Sequence, residues 1–251
     1  MEVERLLEKS ISLSRITIYS AGKIMEVDAI SECRELATGA EARIFKCMFF
    51  GIPAVAKIRL PKPFIMPLID EKLRSRRTRV EARALLDALR LGIPVPRVLW
   101  VDVDSGIIIM EFVKGEILRD AINRSCADEA CRYLYALGEY LAKLHNAGIV
   151  HGDPTTSNLL LSPSGLYLID FGLAEYTSLI EDYAIDIHIA FRAIESTHFD
   201  KESELKECLV KGYSEHMKGA QLVLRKVREI RAMGRYVERR RRSVWGEEDN
   251  D

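Results

Sequence analysis

Short apolar runs separated by glycine and proline occupy the first third of the chain, a pattern typical of β-strands. Two of these runs, 42–45 and 54–58, flank a predicted turn at 51–53 and are expected to pair in a small antiparallel sheet. Two further runs, at 98–101 and 107–110, predict additional strands.

Elsewhere apolar residues recur at intervals of three and four, which predicts amphipathic helices. One helix is expected over 69–91, with Gly92 as its stop. A second is expected to start near Asp128, which can cap it, and to end before Gly148, where a left-handed residue often closes a helix. The two predicted core stripes are Leu73, Val80, Ala84, Leu85 and Ala88, and Ala130, Leu134, Leu137, Leu141 and Leu144. Helical composition resumes over 181–237.

The order of these elements, strands first and helices second, predicts an α+β fold of two lobes. A cleft between two such lobes is a place for a ligand. The predicted N-lobe covers residues 1–113 and includes an extension over 1–30 whose role is unassigned. The predicted C-lobe covers residues 114–251 and ends in a basic tail from about residue 225.

Composition narrows the class of protein. The 251 residues are 48% hydrophobic and 30% charged, which excludes extensive disorder. The net charge of -1 gives no indication of a partner. No apolar run is long enough to cross a membrane, and acids among the first residues argue against a secretory signal. The five cysteines show no CxxC spacing, so we expect reduced thiols in a cytoplasmic protein that does not contact a membrane.

The most informative motif is His151-Gly152-Asp153-Pro154-Thr155-Thr156-Ser157-Asn158, followed by Asp170-Phe171-Gly172. Two apolar runs joined by the turn 162–165 separate these segments and predict a hairpin. Phosphoryl transfer needs a carboxylate to orient or deprotonate the acceptor and hard oxygen ligands to hold Mg²⁺. Each tripeptide alone is common, but their joint spacing predicts that Asp153, Asn158 and Asp170 converge on one site.

A lysine and a glutamate in the predicted N-lobe support the same chemistry. Lys57 ends Val55-Ala56-Lys57 on a strand, where a kinase-type fold places the lysine that binds the nucleotide phosphates. Glu81 lies in the predicted helix and is expected to pair with Lys57, since a buried lysine is costly without a partner. The alternative is a lysine that reaches water from an edge strand and a solvated helix glutamate.

Two further segments are candidates for binding ATP. The predicted phosphate loop has one glycine where ordinary protein kinases have a GxGxxG run, and its residues are Gly39, Ala40, Glu41 and Ala42. Backbone groups near the end of a strand are expected to meet adenine at Met110, Glu111 and Val113. A plain strand end explains the second segment almost as well.

From about residue 36 to residue 242 the chain resembles the atypical kinase subunits of the KEOPS complex, the Bud-thirty-two or PRPK type, in their archaeal form. The resemblance rests on residues 39–42, Lys57-x-Arg59-x-x-Lys62, Arg76-Arg77-Thr78-Arg79-x-Glu81, His151 to Asn158, Ile169-Asp170-Phe171-Gly172-Leu173, Glu181-Asp182-x-Ala184-x-Asp186 and Glu195-Ser196-Thr197-His198. The segment 63–66 departs from the basic and aromatic stretch that is usual in the family.

The resemblance implies a protein-kinase-like fold that acts mainly as an ATPase, with Ser/Thr (auto)phosphorylation as a secondary activity. It implies ATP and Mg²⁺ as cofactors. It also implies a TsaD-like threonylcarbamoyl-transferase and other KEOPS subunits as partners in threonylcarbamoyladenosine modification of tRNA. By position, Asp153 and Lys57 resemble the catalytic residues, and Asn158 and Asp170 resemble the Mg²⁺ ligands. Asp186 resembles the buried aspartate that braces the catalytic loop.

Other functions stay open. RIO-type and small-molecule kinases share the pattern of His-Gly-Asp, Asn and Asp, although the segment 181–186 and the lack of a large insertion speak against them. A non-catalytic scaffold is disfavoured because the candidate set is complete. Gly152 stands where regulated protein kinases have an arginine, and no APE element follows Gly172, so gating by a partner is expected rather than loop phosphorylation.

Two basic zones are candidates for contact with tRNA. Residues 57–83 carry nine Lys or Arg against three acids, and residues 225–242 carry nine against two. Contact with RNA phosphates is one interpretation of these zones. A solvated tail is the other interpretation of the second zone.

Overall fold

The computed structural model describes Leu7 and residues 15–20, 23–39 and 41–245, with side chains for Leu7 and residues 28–39 and 41–233. The chain divides into two compact units, Met1–Lys114 and Gly115–Asp251. Strands dominate the first unit and helices the second, so the predicted α+β class with a strand-rich N-lobe and a mainly helical C-lobe is confirmed. The role of the extension over 1–30 stays a prediction.

The first unit contains seven strands and one helix among its described residues. They are β1 (Arg15–Ser20), β2 (Lys23–Asp28), β3 (Ile30–Thr38), β4 (Ala42–Phe49), β5 (Ile52–Arg59), α1 (Pro67–Arg90), β6 (Val98–Asp102) and β7 (Ile107–Glu111). Strands β1 and β2 form an antiparallel pair, and the other five form an antiparallel sheet in the order β3-β4-β5-β7-β6. The turn predicted at 51–53 begins earlier, because Phe50 and Gly51 adopt positive φ and Pro53 already pairs with Met48.

Strand β7 explains why its sequence is a continuous apolar run rather than an alternation. Ile107 and Ile109 belong to one buried cluster of the sheet, whereas Ile108 and Met110 belong to another that includes Ala82 of α1. A strand that is buried on both faces needs apolar residues at every position.

Helix α1 begins at Pro67, whose fixed φ suits the first helical position, and is followed by Gly92 with φ 72°. The predicted stripe is confirmed at Ala84, Leu85 and Ala88 but is wrong at Leu73, which is exposed. Thr78 and Glu81 are buried in its place, because this part of the helix faces the charged end of β5.

The second unit consists of short strands and five helices among the described residues. They are β8 (Glu116–Ile117), α2 (Leu118–Ile122), α3 (Ala127–Asn146), β9 (Ile149–Val150), β10 (Leu159–Ser162), β11 (Gly165–Leu168), β12 (Glu175–Tyr176), α4 (Ile180–Thr197), α5 (Glu202–His216) and α6 (Ala220–Trp245). The predicted β10–β11 hairpin is confirmed, with Ser162 paired to Gly165 across its turn. No helix in the part of the chain that the structure describes is long and apolar enough to cross a membrane.

Helix α3 buries the stripe that its spacing predicts, from Ala130 to Leu144. Its N-cap is Cys126 rather than Asp128, which lies in the first turn, where a carboxylate suits the positive end of the helix dipole. Gly148 follows the helix with φ 74°, as predicted.

Helices α3 and α5 approach closely at two glycines. A Cβ on Gly138 would lie 2.1 Å from the carbonyl oxygen of Leu209, and a Cβ on Gly212 would lie 2.1 Å from that of Tyr135. Neither helix can carry a side chain at its crossing point. This explains why glycine, a poor helix former, stands inside both helices.

The prediction of five reduced thiols is wrong for four of them. The structure pairs Cys33 with Cys47 across β3 and β4, and Cys131 with Cys208 across α3 and α5, and among the described cysteines it leaves Cys126 free and exposed. The partners are 14 and 77 residues apart. Local cysteine spacing therefore carries no signal of either pair.

We expect Gly138→Ala to destabilise the protein, although alanine is the better helix former by about 1 kcal/mol. The added methyl group would force α3 and α5 apart, and overpacking of this kind costs about 1–3 kcal/mol. Equilibrium unfolding in urea measures the change in the free energy of unfolding. A gain in stability in this variant would contradict the close approach of the two helices.

Candidate active site

Strand β5 carries two cations to one buried carboxylate of α1. Because side chains alternate along a strand, Lys57 and Arg59 lie on the same face, opposite Glu81. The Lys57 Nζ donates to Glu81 Oε1 at 2.7 Å, and the Arg59 guanidinium donates to Glu81 Oε2. All three side chains are more than nine-tenths buried. The structure therefore brings Lys57 and Glu81 together and adds Arg59, which belongs to a sequence motif with Lys57 but for which no contact with Glu81 was predicted.

The candidate phosphate loop is a tight turn between β3 and β4. The Gly39 N–H donates to the carbonyl of Ala42 at 2.9 Å, and Ala40 lies outside the described residues. Glu41 receives Lys62 at 3.3 Å and also pairs with Arg77. Burial raises the pKa of Glu41, but the hydrogen bonds and charges of Arg77 and Lys62 outweigh it and hold the pKa below its usual range.

The candidate adenine-binding segment continues from strand β7. The Glu111 N–H donates to the carbonyl of Arg97 at 2.8 Å, and the Phe112 N–H donates to that of Pro53 at 3.2 Å. The Met110 side chain packs in the core. Roles for Met110, Glu111 and Val113 in binding adenine stay predictions.

One buried aspartate of α4 holds the loop that follows β9. Asp186 accepts the N–H of His151 at 2.7 Å and the N–H of Gly152 at 2.8 Å. His145 of α3 lies 3.2 Å from the same carboxylate and 2.9 Å from the hydroxyl of Tyr213. Helices α3, α4 and α5 are therefore linked to the loop through the carboxylate of Asp186. This is the bracing role that the resemblance implies for Asp186.

Gly152 is required by backbone geometry at this point. Its φ is 84°, and a Cβ there would lie 2.2 Å from the carbonyl oxygen of Leu173. The arginine that regulated protein kinases carry at this position does not fit this loop conformation.

The candidate oxygen donors lie at the open end of the β10–β11 hairpin. The Asn158 amide donates to the carbonyl of Asp153 at 2.9 Å and to its Oδ2 at 2.7 Å. The Ile169 N–H donates to the carbonyl of Asn158, which puts Asp170 one residue beyond this backbone pair. Asp170 is exposed, has φ 61° and accepts the Gly172 N–H at 3.1 Å.

These donors fit Mg²⁺ in their chemistry. Mg²⁺ prefers oxygen ligands and is commonly held by one or two carboxylates together with substrate phosphates. Both N–H bonds of the Asn158 amide are directed at Asp153, so its Oδ1 is the atom that can serve as a ligand beside the Asp170 carboxylate. Among the described residues, no group of three or more His, Cys, Asp or Glu side chains is arranged to hold a metal.

A second buried contact supports the same loop and was missed by sequence reasoning. The Thr156 hydroxyl lies 3.1 Å from Nε2 of His198, whose Nδ1 lies 3.2 Å from Oδ1 of Asn123. Thr156 and His198 each belong to a motif singled out in the sequence, 42 residues apart. The contact between Thr156 and His198 is therefore one structural explanation for both motifs.

Burial lowers the pKa of three histidines of the second unit below their ordinary value, and they are His151, His188 and His198. A lowered pKa means that the folded protein favours the neutral ring. Below a pH of about 6.5 the unfolded chain binds protons that the folded chain excludes.

We therefore expect the contribution of these histidines to the free energy of unfolding to be fully present above a pH of about 6.5. As the pH decreases below that value, the free energy of unfolding should fall by at most about 1.4 kcal/mol per pH unit for each histidine. Urea unfolding at a series of pH values measures this slope. His198→Asn should reduce the slope, because one titrating ring is removed. An unchanged slope would contradict the lowered pKa of His198.

Known proteins similar to this chain are kinase-like. The RIO domain family matches residues 70–181. The KEOPS complex subunit Bud32 of Pyrococcus abyssi is 41% identical over 210 residues, which are 80% of this chain and 95% of that protein. A probable serine/threonine-protein kinase BUD32 homolog of Archaeoglobus fulgidus is 38% identical over 185 residues, 74% of this chain and 89% of the homolog.

A longer kind of relative is also similar. A probable bifunctional tRNA threonylcarbamoyladenosine biosynthesis protein of Methanothermobacter thermautotrophicus is 38% identical over 203 residues, 81% of this chain but 36% of that protein. The chain therefore spans little more than a third of that relative's length.

Proposed function

The chain belongs to the kinase-like family of the KEOPS complex subunit Bud32, and from this membership we propose that it is a Mg-ATP-dependent atypical kinase or ATPase. The proposal assigns it to the KEOPS complex, where it supports threonylcarbamoyladenosine modification of tRNA and retains Ser/Thr (auto)phosphorylation activity. The observation that carries the proposal is the hydrogen-bonded pair Asp153 and Asn158, on a loop that a buried carboxylate holds in place. Asp170 follows Ile169, whose N–H donates to the carbonyl of Asn158.

In this proposal the second unit supplies the reacting groups. The Asp153 carboxylate orients or deprotonates the acceptor, which is a hydroxyl or water. Asn158 and Asp170 hold Mg²⁺, which neutralises charge on the phosphates when it is bound. The hydrogen bonds from Asn158 to Asp153 fix the carboxylate in position, so that little reorganisation is needed during the reaction.

In the first unit, Lys57 is proposed to bind nucleotide phosphates. Its ion pair with Glu81 fixes the ammonium group and offsets the cost of burying it. Gly39, Ala40, Glu41 and Ala42 form the loop proposed to cover the phosphates, and backbone groups from Met110 to Val113 are proposed to meet adenine.

Two features favour an ATPase gated by a partner over a kinase controlled by loop phosphorylation. The site of the phosphate-sensing arginine is a glycine with no room for a side chain. The short strand β12 and a few residues lie between Gly172 and the start of α4, which leaves little chain for docking an extended peptide.

The proposed partners follow from the names of relatives and from charge. Relatives named as a KEOPS subunit and as a tRNA threonylcarbamoyladenosine biosynthesis protein support a TsaD-like transferase and other KEOPS subunits as partners. The zones 57–83 and 225–242 are proposed to contact tRNA. In the second zone, Lys226 is paired with Glu181 and Arg231 with Glu195, both of α4, so these two cations already have partners within the chain.

We expect Asp170→Ala to lower ATP hydrolysis by at least about 100-fold, because a lost Mg²⁺ ligand removes several kcal/mol of charge stabilisation. Phosphate release from ATP is measured for the chain alone and with a TsaD-like partner and tRNA. The unmodified chain should turn over slowly alone and clearly faster with both.

The matched control is Asp200→Ala, which removes an exposed carboxylate between α4 and α5. It should keep the unmodified rate. Full turnover by Asp170→Ala would rule out the metal assignment.

Truncation before Arg239 should weaken tRNA binding and flatten its salt dependence, by about 0.7 in the slope for each single-strand phosphate that the tail no longer neutralises. Truncation after Arg242 is the control, because it removes residues 243–251, which hold four acids and no cations. That control should bind tRNA at least as well as the full chain. Equal tRNA affinity of the two truncated proteins would mean that the tail is a solvated segment.

The RIO domain match over 70–181 supports a second candidate, a RIO-type kinase. The same assay separates the two candidates. Turnover that does not respond to the transferase and tRNA would favour the RIO-type kinase.

A further inference from the structure

A small basic cavity lies beside the start of α1, and residues of the first unit alone form it. Its volume is about 110 Å³, the space of roughly three or four water molecules. Its charged lining residues are Arg59, Lys62, Arg74, Arg77, Glu41 and Asp70. Four cations against two carboxylates leave the wall with an excess of positive charge.

The buried wall of the cavity contains a donor without an acceptor. Arg59 is 3% exposed and uses its two terminal nitrogens on Glu81 and Thr78. Its Nε is buried and has no hydrogen-bond partner among the residues that the structure describes. Folded proteins rarely leave a buried hydrogen-bond donor without an acceptor, because no hydrogen bond then compensates for the loss of its hydration. Arg59 therefore lies at the cavity with one donor that no described protein group satisfies.

The other cations of the cavity share their acceptors. Lys62 and Arg77 both donate to Oε1 of Glu41, and the Arg74 Nε donates to Oδ2 of Asp70 at 2.8 Å. Arg77 and Glu41 are about two-fifths exposed, so the cavity opens to solvent on that side. A phosphate monoester brings a charge of about -2 and three acceptor oxygens, more than one carboxylate offers.

A glycine lets the backbone close over these cations. A Cβ on Gly106 would lie 3.3 Å from Cβ of Arg59 and 3.5 Å from a terminal nitrogen of Arg74. The Gly106 carbonyl accepts the Arg59 N–H at 3.0 Å. The β6–β7 turn thus fixes Arg59 from the backbone side.

From these contacts we propose that the cavity is a binding site for a phosphate group, either the free ion or a terminal phosphate monoester. Arg74 and Arg77 donate N–H bonds to its oxygens, and Arg59 and Lys62 supply further positive charge. Glu41 occupies part of this site and competes with the ligand for Arg77 and Lys62. The site uses neither Lys57 nor Asp170, but Glu41 also belongs to the proposed phosphate loop, and Arg59 shares Glu81 with Lys57.

Titration of the full chain with inorganic phosphate, at an ionic strength kept constant with chloride, tests the site by calorimetry. We expect saturable binding at one site. Arg77→Gln should weaken binding about tenfold, because one charge-assisted hydrogen bond is removed. Glu41→Gln should strengthen binding, because the competing charge is removed.

The matched control is Arg90→Gln on the same helix, whose exposed guanidinium pairs with Asp87 outside the cavity. It should leave phosphate affinity unchanged. Asp170→Ala should also leave it unchanged while ATP turnover falls, so failure of this site and failure of the nucleotide site are distinguishable. A parallel titration with glycerol 2-phosphate separates the two sources: equal affinity indicates a terminal phosphate, and preference for inorganic phosphate indicates the free ion.

Three results would overturn the proposal. The first is no saturable binding of either phosphate compound. The second is the same affinity in Arg77→Gln as in the unmodified chain. The third is loss of phosphate binding in Asp170→Ala, which would assign the ion to the nucleotide site.

Discussion

The carboxylate of Asp186 fixes the loop on which the proposed chemistry of the second unit depends. It accepts two consecutive backbone N–H groups, and a charged acceptor makes such bonds stronger than neutral ones. The following residue of that loop is Asp153, which Asn158 then holds. A buried group of a helix thus determines the position of the half-buried Asp153. The packing of α3 and α5, with their two glycines, keeps His145 and Tyr213 beside this carboxylate.

In the first unit, one buried carboxylate holds two cations. Glu81 satisfies Lys57 and Arg59 together, and removing one member of a buried ion pair usually costs about 3–5 kcal/mol. Neither cation can be replaced without changing the surroundings of the other. Stability and the proposed ligand binding are therefore tied to the same three side chains.

Local patterns predicted much of the fold and part of the site. Apolar runs bounded by glycine and proline located β4 and β5, and helical spacing located α1 and α3, because those patterns reflect which residues of each element are buried. Motif spacing predicted the hairpin that joins Asn158 to Asp170, whereas their role as Mg²⁺ ligands stays a prediction. The contact of Thr156 with His198, the sharing of Glu81 by Arg59, and both disulfides depend on which distant elements pack together. Periodicity within one element does not contain that information.

The bond between Cys131 and Cys208 closes a covalent ring of chain. The loop after β9, the β10–β11 hairpin and the whole of α4 lie inside that ring. A protease that cuts once within it leaves both pieces attached to each other until the sulfur bridge is reduced. Under oxidising conditions the nicked protein would therefore have the mass of the intact protein plus one water. The two pieces of the nicked protein would separate from each other only after reduction.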